Sequence, residues 1–515
     1  MSRSRTKNTA INIATAIASQ AATVIMSFFT RTALIRTLGI QAVSLNGLFA
    51  EIITMLSLAE LGVGSAIVYN LYKPLSENDE KKVCQLMTLF QTAYRTIALV
   101  IFAVGLLLTP FIQYLVNDIS YPLSYIRLVY VLFVIQSASS YLFAYKASLL
   151  VADQKKYMVT IITLAAKAVS VVAIVAVLYL TGNYILYLLI QILFNFGSNM
   201  LSALYADRTY PYLRKDRSMS KEERKGIFKN VKYLFVDSLS NRIVNSTDNI
   251  LISVLVSTLQ VGYYSNYSVF FGIIRQLQTN FSGGISGSLG NLLATETPEH
   301  CVRVLGRLNY LFYVAAFVLN LGMFACVGPV VRLWLGEDFL LPGIVVFISC
   351  LNLFLDFCKA PVWQTLGVAG RFKENKNISI AGAVTNLVIS VVLGVKLGMA
   401  GIFIGTTATT LVQLVLKTRL LYGKVFRCSA GKFAARWVYY LLSFVTAQMG
   451  ILWFASVVRL ENVFAQILVN GVAAVALSIP FCILVFWKNE DFRYALDLVR
   501  TRAPFDRRRK QGGEE

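Results

Sequence analysis

Residues 84–116 read CQLMTLFQTAYRTIALVIFAVGLLLTPFIQYLV, an apolar run with one arginine, Arg95, set inside it. The run exceeds the roughly 20 residues that a helix needs to cross the hydrocarbon of a bilayer. A charge near mid-depth costs roughly 2.5–3.5 kcal/mol even on the lenient insertion scale, so Arg95 belongs against protein or a water-filled space.

Outward from this stretch the chain repeats the pattern. About fourteen apolar segments run at 11–38, 42–71, 84–116, 121–148, 157–180, 184–205, 231–257, 261–294, 307–335, 340–368, 377–395, 398–422, 433–458 and 463–487. Hydrophobic residues make up 57% of the 515 and charged residues only 14%, where soluble domains carry about 25% charged. Open strands cannot span lipid, and no ten-residue alternation marks an outer-membrane barrel, so the spans are read as helices. The expected fold class is an all-α integral membrane protein of about fourteen transmembrane helices.

The net charge of +22 would suggest nucleic acid in a soluble protein, but its placement argues otherwise. Basic residues collect in every second connection: Arg3, Arg5 and Lys7; Lys73, Lys81 and Lys82; Lys146, Lys155 and Lys156; Arg303 and Arg307; Arg371, Lys373 and Lys376. The long loop from Arg208 to Lys232, the stretch from Lys417 to Arg436 and the tail add more, while the alternate connections hold little beyond Arg127, Arg332, Lys396 and Arg459. Positive residues mark the cytoplasmic side. Both termini are therefore expected inside, as an even number of spans requires. The basic-then-apolar start from Arg3 to Phe29 is expected as an uncleaved first helix rather than a signal peptide, because its apolar run is too long. The seven cysteines form no CxxC and read as packing thiols.

The segment 207–230 is the one long hydrophilic break. It divides an expected N-terminal six-helix lobe (1–206) from a C-terminal one (231–425), followed by two extra spans (426–488) and a basic cytoplasmic tail (489–515). Leu38-Gly39 … Ser44-Leu45-Asn46 and Val261-Gly262-Tyr263-Tyr264-Ser265-Asn266 stand at matching places in the two lobes. That fits a parallel repeat about an axis along the membrane normal, with the last two spans as an appendage.

The residues expected to do work are the charges and amides inside the spans. In the seventh span Ser238, Asn241, Asn245 and Asp248 recur at spacings of three, four and three on one helical face, with Arg242 and Asn249 beside them. Interhelical hydrogen bonding is the bland reading of such a stripe; an added acid and arginine favour cavity lining. Arg31 in the first span, Arg95 in the third, Lys167 in the fifth, Arg242 in the seventh and Arg275 in the eighth form a set of cations suited to one shared anion. Glu60, Asp237 and Asp248 are expected either to pair with these cations or to carry a coupling proton or sodium ion. Asp356 and Lys359, three apart, are expected to neutralise each other. His300, the single histidine, is expected in a cytoplasmic loop. No Walker loop and no His/Cys metal cluster is present in the sequence, which argues against an enzyme and against a cofactor.

The runs Leu56-Ser57-Leu58-Ala59-Glu60-Leu61-Gly62-Val63-Gly64-Ser65-Ala66 and Leu71-Tyr72-Lys73-Pro74-Leu75, with Asn245-Ser246-Thr247-Asp248-Asn249 and Val261 to Tyr267, resemble bacterial polysaccharide flippases. These are the O-antigen and capsule repeat-unit transporters of the multidrug/oligosaccharidyl-lipid/polysaccharide superfamily. The resemblance covers essentially the whole chain and implies two six-helix lobes around a central cationic cavity that opens alternately inward and outward. It implies a flippase that carries a polyprenyl-pyrophosphate-linked oligosaccharide from the inner to the outer leaflet of a bacterial cell membrane for capsule or exopolysaccharide assembly. Polysaccharide assembly machinery and membrane lipids are the expected partners, with no nucleic acid; the membrane potential, H+ or Na+ would supply the drive. A lipid II flippase and a multidrug exporter of the same fold stay open. A membrane-embedded glycan polymerase or ligase is the rival from another class.

Overall fold

The computed structural model describes residues 2–60, 63–229 and 246–484, together with Leu239, Phe486, Trp487 and Arg493. The expected residues Asp237, Ser238, Asn241, Arg242 and Asn245, and the tail apart from Arg493, lie outside the described residues.

The chain is all-helical among the described residues. In order the helices are α1 (Ser2–Leu56), α2 (Val63–Glu77), α3 (Glu80–Leu108), α4 (Leu123–Ala152), α5 (Lys156–Thr181), α6 (Tyr184–Thr209), α7 (Lys221–Lys229) and α8 (Asp248–Leu255). Then follow α9 (Thr258–Thr295), α10 (Pro298–Leu335), α11 (Gly343–Val368), α12 (Phe372–Leu397), α13 (Met399–Leu420), α14 (Gly431–Val457) and α15 (Val463–Ile479). Eleven helices among the described residues are long and apolar enough to cross a membrane. One of them, Ala18–Leu56, holds two expected spans, because Gly39 breaks α1 with φ 72°. That left-handed conformation carries little strain only in a residue without a Cβ. α9 has the length of a span but is not among the eleven, with Arg275, Gln276, Gln278 and Asn280 in its middle.

Several boundaries differ from expectation. The second span does not run unbroken over 42–71: α1 stops at Leu56, a 3-10 turn covers Ser57–Glu60, and α2 starts at Val63. The Ser57 hydroxyl donates back to the Ile53 carbonyl (2.9 Å), and the following Leu-Gly-Val-Gly is poor helix material. A bend at Thr247 precedes α8, and Asp248 stands in its first turn; a carboxylate there complements the helix dipole. His300 sits in the first turn of α10, whose N-cap Thr297 accepts from its backbone N–H, not in a loop.

By contacts the chain divides into Met1–Ser265 and Asn266–Glu515. In the first unit the two short connections around Gln154 and Gly182 make α4, α5 and α6 successively antiparallel. Gly182 closes α5 in the left-handed region, and Asn183 caps α6 by accepting from the N–H groups of Ile185 (2.9 Å) and Leu186 (3.2 Å). This winding gathers Lys82, Lys146, Lys155 and Arg208 at one end of the bundle, termed the basic end. The polar segment after α6 docks there on α3: Gln85 donates to Ser218 (2.7 Å), the Asp216 N–H to Thr88 (2.9 Å), and Lys82 pairs with Glu223 of α7 (2.9 Å). At the opposite end, Asn117 after α3 receives the α8–α9 corner through Thr258 (2.7 Å) and the Ser253 carbonyl (3.1 Å).

In the second unit α14 and α15 pack on α10 and α11. The Tyr313 ring stacks on Tyr440 (3.9 Å) and Phe354 on Phe444 (4.0 Å), while Tyr310 donates to the Cys482 carbonyl (2.6 Å) and Asn470 to that of Ala325 (2.9 Å). α12 and α13 touch backbone to backbone: a Cβ at Gly401 would stand 2.0 Å from the Leu393 carbonyl oxygen. A backbone atom cannot rotate away, so Gly401→Val is expected to destabilise by about 3 kcal/mol, the upper part of the overpacking range. Gly322→Ala in α10, with open space around it, should not lower stability. Melting of the purified protein in detergent, followed by tryptophan fluorescence, checks both; equal melting of Gly401→Val and wild type would refute the close packing.

Candidate functional site

Three polar clusters stand inside the helical units. The first lies in the first unit at the end away from the basic residues. Arg31, two turns before the Gly39 break, has the phenols of Tyr187 and Tyr184 as electrostatic neighbours. The two rings stack at 5.6 Å in the first turn of α6. The Tyr187 hydroxyl accepts from Asn46 (3.0 Å) and from Gln191 (2.7 Å). A guanidinium beside phenols, with amides bonded to one of them, is a surface whose polar groups suit an anion or a hydroxylated ligand. Tyr184, Tyr187 and Gln191 were not singled out from the sequence. Their spacing of three and four on α6 is the same signal used for the seventh span.

The second cluster lies nearer the basic end. Glu60 accepts from the Tyr94 hydroxyl (3.2 Å) and, among the described residues, forms no ion pair. Tyr94 is almost fully buried, so the phenol holds the carboxylate against the α2–α3 contact. On the adjoining face of α3, Thr88, Gln91 and Arg95 follow at spacings of three and four. Gln91 donates to Tyr145 of α4 (2.8 Å), and Arg95 acts electrostatically on the same phenol. Arg95 is exposed on its helix and Lys167 in α5 half-buried. Among the described residues neither has a carboxylate within ion-pair distance.

The third cluster belongs to the second unit. Arg275 is exposed on α9, and Gln278 one turn on donates to the Asp356 carbonyl (2.7 Å). Asp356 and Lys359 form the ion pair expected from their spacing. The ammonium groups of Lys359 (5.3 Å) and Lys417 (4.4 Å) both lie over the Trp363 ring. Lys417, read from the sequence as part of a basic loop, is buried inside α13. Gln276 donates to Asn280 on its own helix (3.1 Å).

Of the sequence-predicted site residues, the first unit thus holds Arg31, Glu60, Arg95, Lys167 and Asp248, and the second holds Arg275. Arg31 and Glu60 stand in different clusters. No group of three or more His, Cys, Asp or Glu with metal-binding geometry occurs among the described residues.

No family model and no curated protein matches the sequence. Solved structures do. The chain is similar to the lipid II flippase MurJ in an inward closed conformation, with TM-score 0.63 at 13% identity over 90% of this chain and 98% of that one. It is also similar to an inward-facing multidrug resistance MATE family transporter of the MOP superfamily, with TM-score 0.56 at 11% identity over 76% and 92%. The MATE multidrug transporter DinF-BH gives TM-score 0.57 at 16% identity over 81% and 97%. At such identities the likeness is one of fold. The chain is a multi-pass, all-helical membrane protein with the architecture that these transporters share.

Proposed function

We propose that this protein is a flippase that carries a polyprenyl-pyrophosphate-linked oligosaccharide from the inner to the outer leaflet of a bacterial cell membrane, for capsule or exopolysaccharide assembly, with the basic end cytoplasmic. The observation that carries this reading is the pair of span cations Arg95 and Lys167, which no described carboxylate neutralises. A cation at that depth is costly unless water or an anionic ligand compensates it. Arg31 beside Tyr184, Tyr187 and Asn46 adds a second donor-rich surface suited to phosphate oxygens and sugar hydroxyls.

The substrate's isoprenoid tail is at home in lipid, so the protein has to cover only the diphosphate and the sugars. Arginine suits the diphosphate through its planar fork of donors. Amides and phenols replace sugar hydration without reading a particular sequence of sugars. Glu60, held by a phenol and by no cation among the described residues, is the carboxylate we assign to proton or sodium coupling; Asp248 takes the structural role of opening α8. A multidrug exporter of organic cations is disfavoured by the same unneutralised cations. The likeness to MurJ supports a lipid-linked substrate and leaves lipid II as the second reading.

Moving negative charge outward across an inside-negative membrane gains about 2.3 kcal/mol per charge per 100 mV. Flipping of a diphosphate-linked glycan in proteoliposomes is therefore expected to accelerate when an inside-negative potential is imposed. Transport indifferent to voltage but driven by a proton gradient, and lost in Glu60→Gln, would instead assign the drive to Glu60. Absence of diphosphate-lipid transport under either gradient, with lipophilic cations moved, would overturn the flippase reading.

A further inference from the structure

At the basic end of the first unit, α3, α4, the end of α6 and the segment after it enclose a recess of about 160 Å³. Lys146, Asp207, Arg214, Lys215, Tyr145 and Gln91 supply its polar lining. Three cations thus face one carboxylate. Lys146 pairs with Asp207 at 2.5 Å, whereas Arg214 and Lys215 have no ion pair among the described residues. Tyr145 is 7% exposed, and its hydroxyl accepts from Gln91 while its own proton meets no acceptor among the described residues. A buried donor left open beside surplus positive charge is the chemistry of an anion site. At a share of about 30 Å³ per water the recess displaces roughly five waters, room for a phosphate or diphosphate group but not for an oligosaccharide.

We infer that this recess is where the diphosphate of the lipid-linked substrate first docks, taking Lys146 from Asp207 and adding Arg214, Lys215 and the Tyr145 hydroxyl as donors. The inference rests on the flippase reading and names a step before entry. The sugars project out of the recess, and the tail stays in lipid at the level where the spans end. From there Gln91 and Arg95, one helical turn apart on the same face of α3, lead the anion toward the bundle interior. Asp207 serves as a stand-in anion: it keeps Lys146 placed when the recess holds no substrate and competes with the substrate when it arrives.

That competition gives an unusual pair of expected results. Purified full-length protein in detergent is titrated calorimetrically with farnesyl diphosphate, with inorganic pyrophosphate and farnesol as comparators. Lys146→Ala should weaken farnesyl diphosphate binding on the order of tenfold, as expected for a lost charge-assisted hydrogen bond. Asp207→Asn should tighten it several-fold, because the competing carboxylate is gone. A merely structural Lys146–Asp207 brace predicts instead that both variants weaken binding or that neither changes it, and either result overturns the proposal. Binding of inorganic pyrophosphate with the same variant pattern, but no binding of farnesyl diphosphate, would overturn the lipid-linked assignment in favour of a soluble diphosphate. Should Lys146→Ala fail to fold, Arg214→Ala at an exposed position carries the same expectation. Flipping in proteoliposomes separates this site from the function: intact flipping with unaltered affinity in Lys146→Ala removes the docking site alone. Variant-sensitive binding without any flipping by wild type removes the flippase reading and leaves the site standing.

Discussion

Replacing Arg95 with Ala is expected to reduce flipping of a diphosphate-linked glycan by roughly 10–100-fold, the worth of one charge-assisted hydrogen bond to an anion, while protein abundance stays at the wild-type level. Arg31→Ala and Arg275→Ala should act in the same direction. The distinguishing measurement is thermal stability. A cation held by a structural carboxylate leaves that carboxylate stranded when it is removed, which destabilises by about 3–5 kcal/mol where the pair is buried. Lys359→Ala, which strands Asp356, is the control for that behaviour. Arg95 and Lys167 have no such partner among the described residues, so Arg95→Ala and Lys167→Ala should melt at or above the wild-type temperature even as transport falls. Arg95→Lys should recover part of the rate, since it restores the charge but not the bidentate fork. Full transport in Arg95→Ala, Arg31→Ala and Arg275→Ala together would remove the cationic surface from the mechanism.

Membrane crossing was legible in the sequence because it depends on length and apolarity, which are local. α5, α6, α11 and α13 fall within a few residues of the expected spans for that reason. The Asp356–Lys359 pair was legible because residues three apart on a helix must meet. The break at Ser57–Glu60 was not, since Leu58, Ala59 and Leu61 carry the apolar run onward in sequence while the Ser57 hydroxyl turns back to the Ile53 carbonyl. Partners across the bundle were equally hidden. Asn46 meets Tyr187 from 141 positions away, and Lys417 reaches Trp363 only because α13 packs on α11. Lys417 reads as one more basic residue near a loop until that packing buries it. Charge type is written in a sequence; the medium around each charge is set by helices whose contacts are not.

A disulfide introduced between positions 44 and 262 is expected to abolish transport when oxidised and to release it on reduction. The argument starts from the two glycines that let α1 and the start of α9 meet. A Cβ on Gly262 would stand 2.2 Å from the Ser44 hydroxyl oxygen, and one on Gly47 would stand 2.3 Å from that of Ser265. Each level of the contact therefore holds one serine and one glycine, and both pairs have the same separation along the chain, so the two segments run parallel and in register. Both segments lie within the first unit. Ser44 also donates to the Leu259 carbonyl, and the Thr258 hydroxyl accepts from the Asn117 N–H, so within the first unit the start of α9 is held at the end away from the basic residues; this contact is the latch. On the flippase reading proposed above, opening this end of the first unit to release substrate parts that contact. The spacing at 44 and 262 is close to the Cβ separation of about 3.5–4.5 Å that a disulfide needs. Ser44→Cys with Gly262→Cys, oxidised in proteoliposomes, should transport at background, and the reduced protein should recover to the rate of the Gly262→Cys single variant. A bridged protein that still flips substrate at that rate would mean the α1–α9 seam stays closed throughout the cycle, and release would have to be sought elsewhere in the fold.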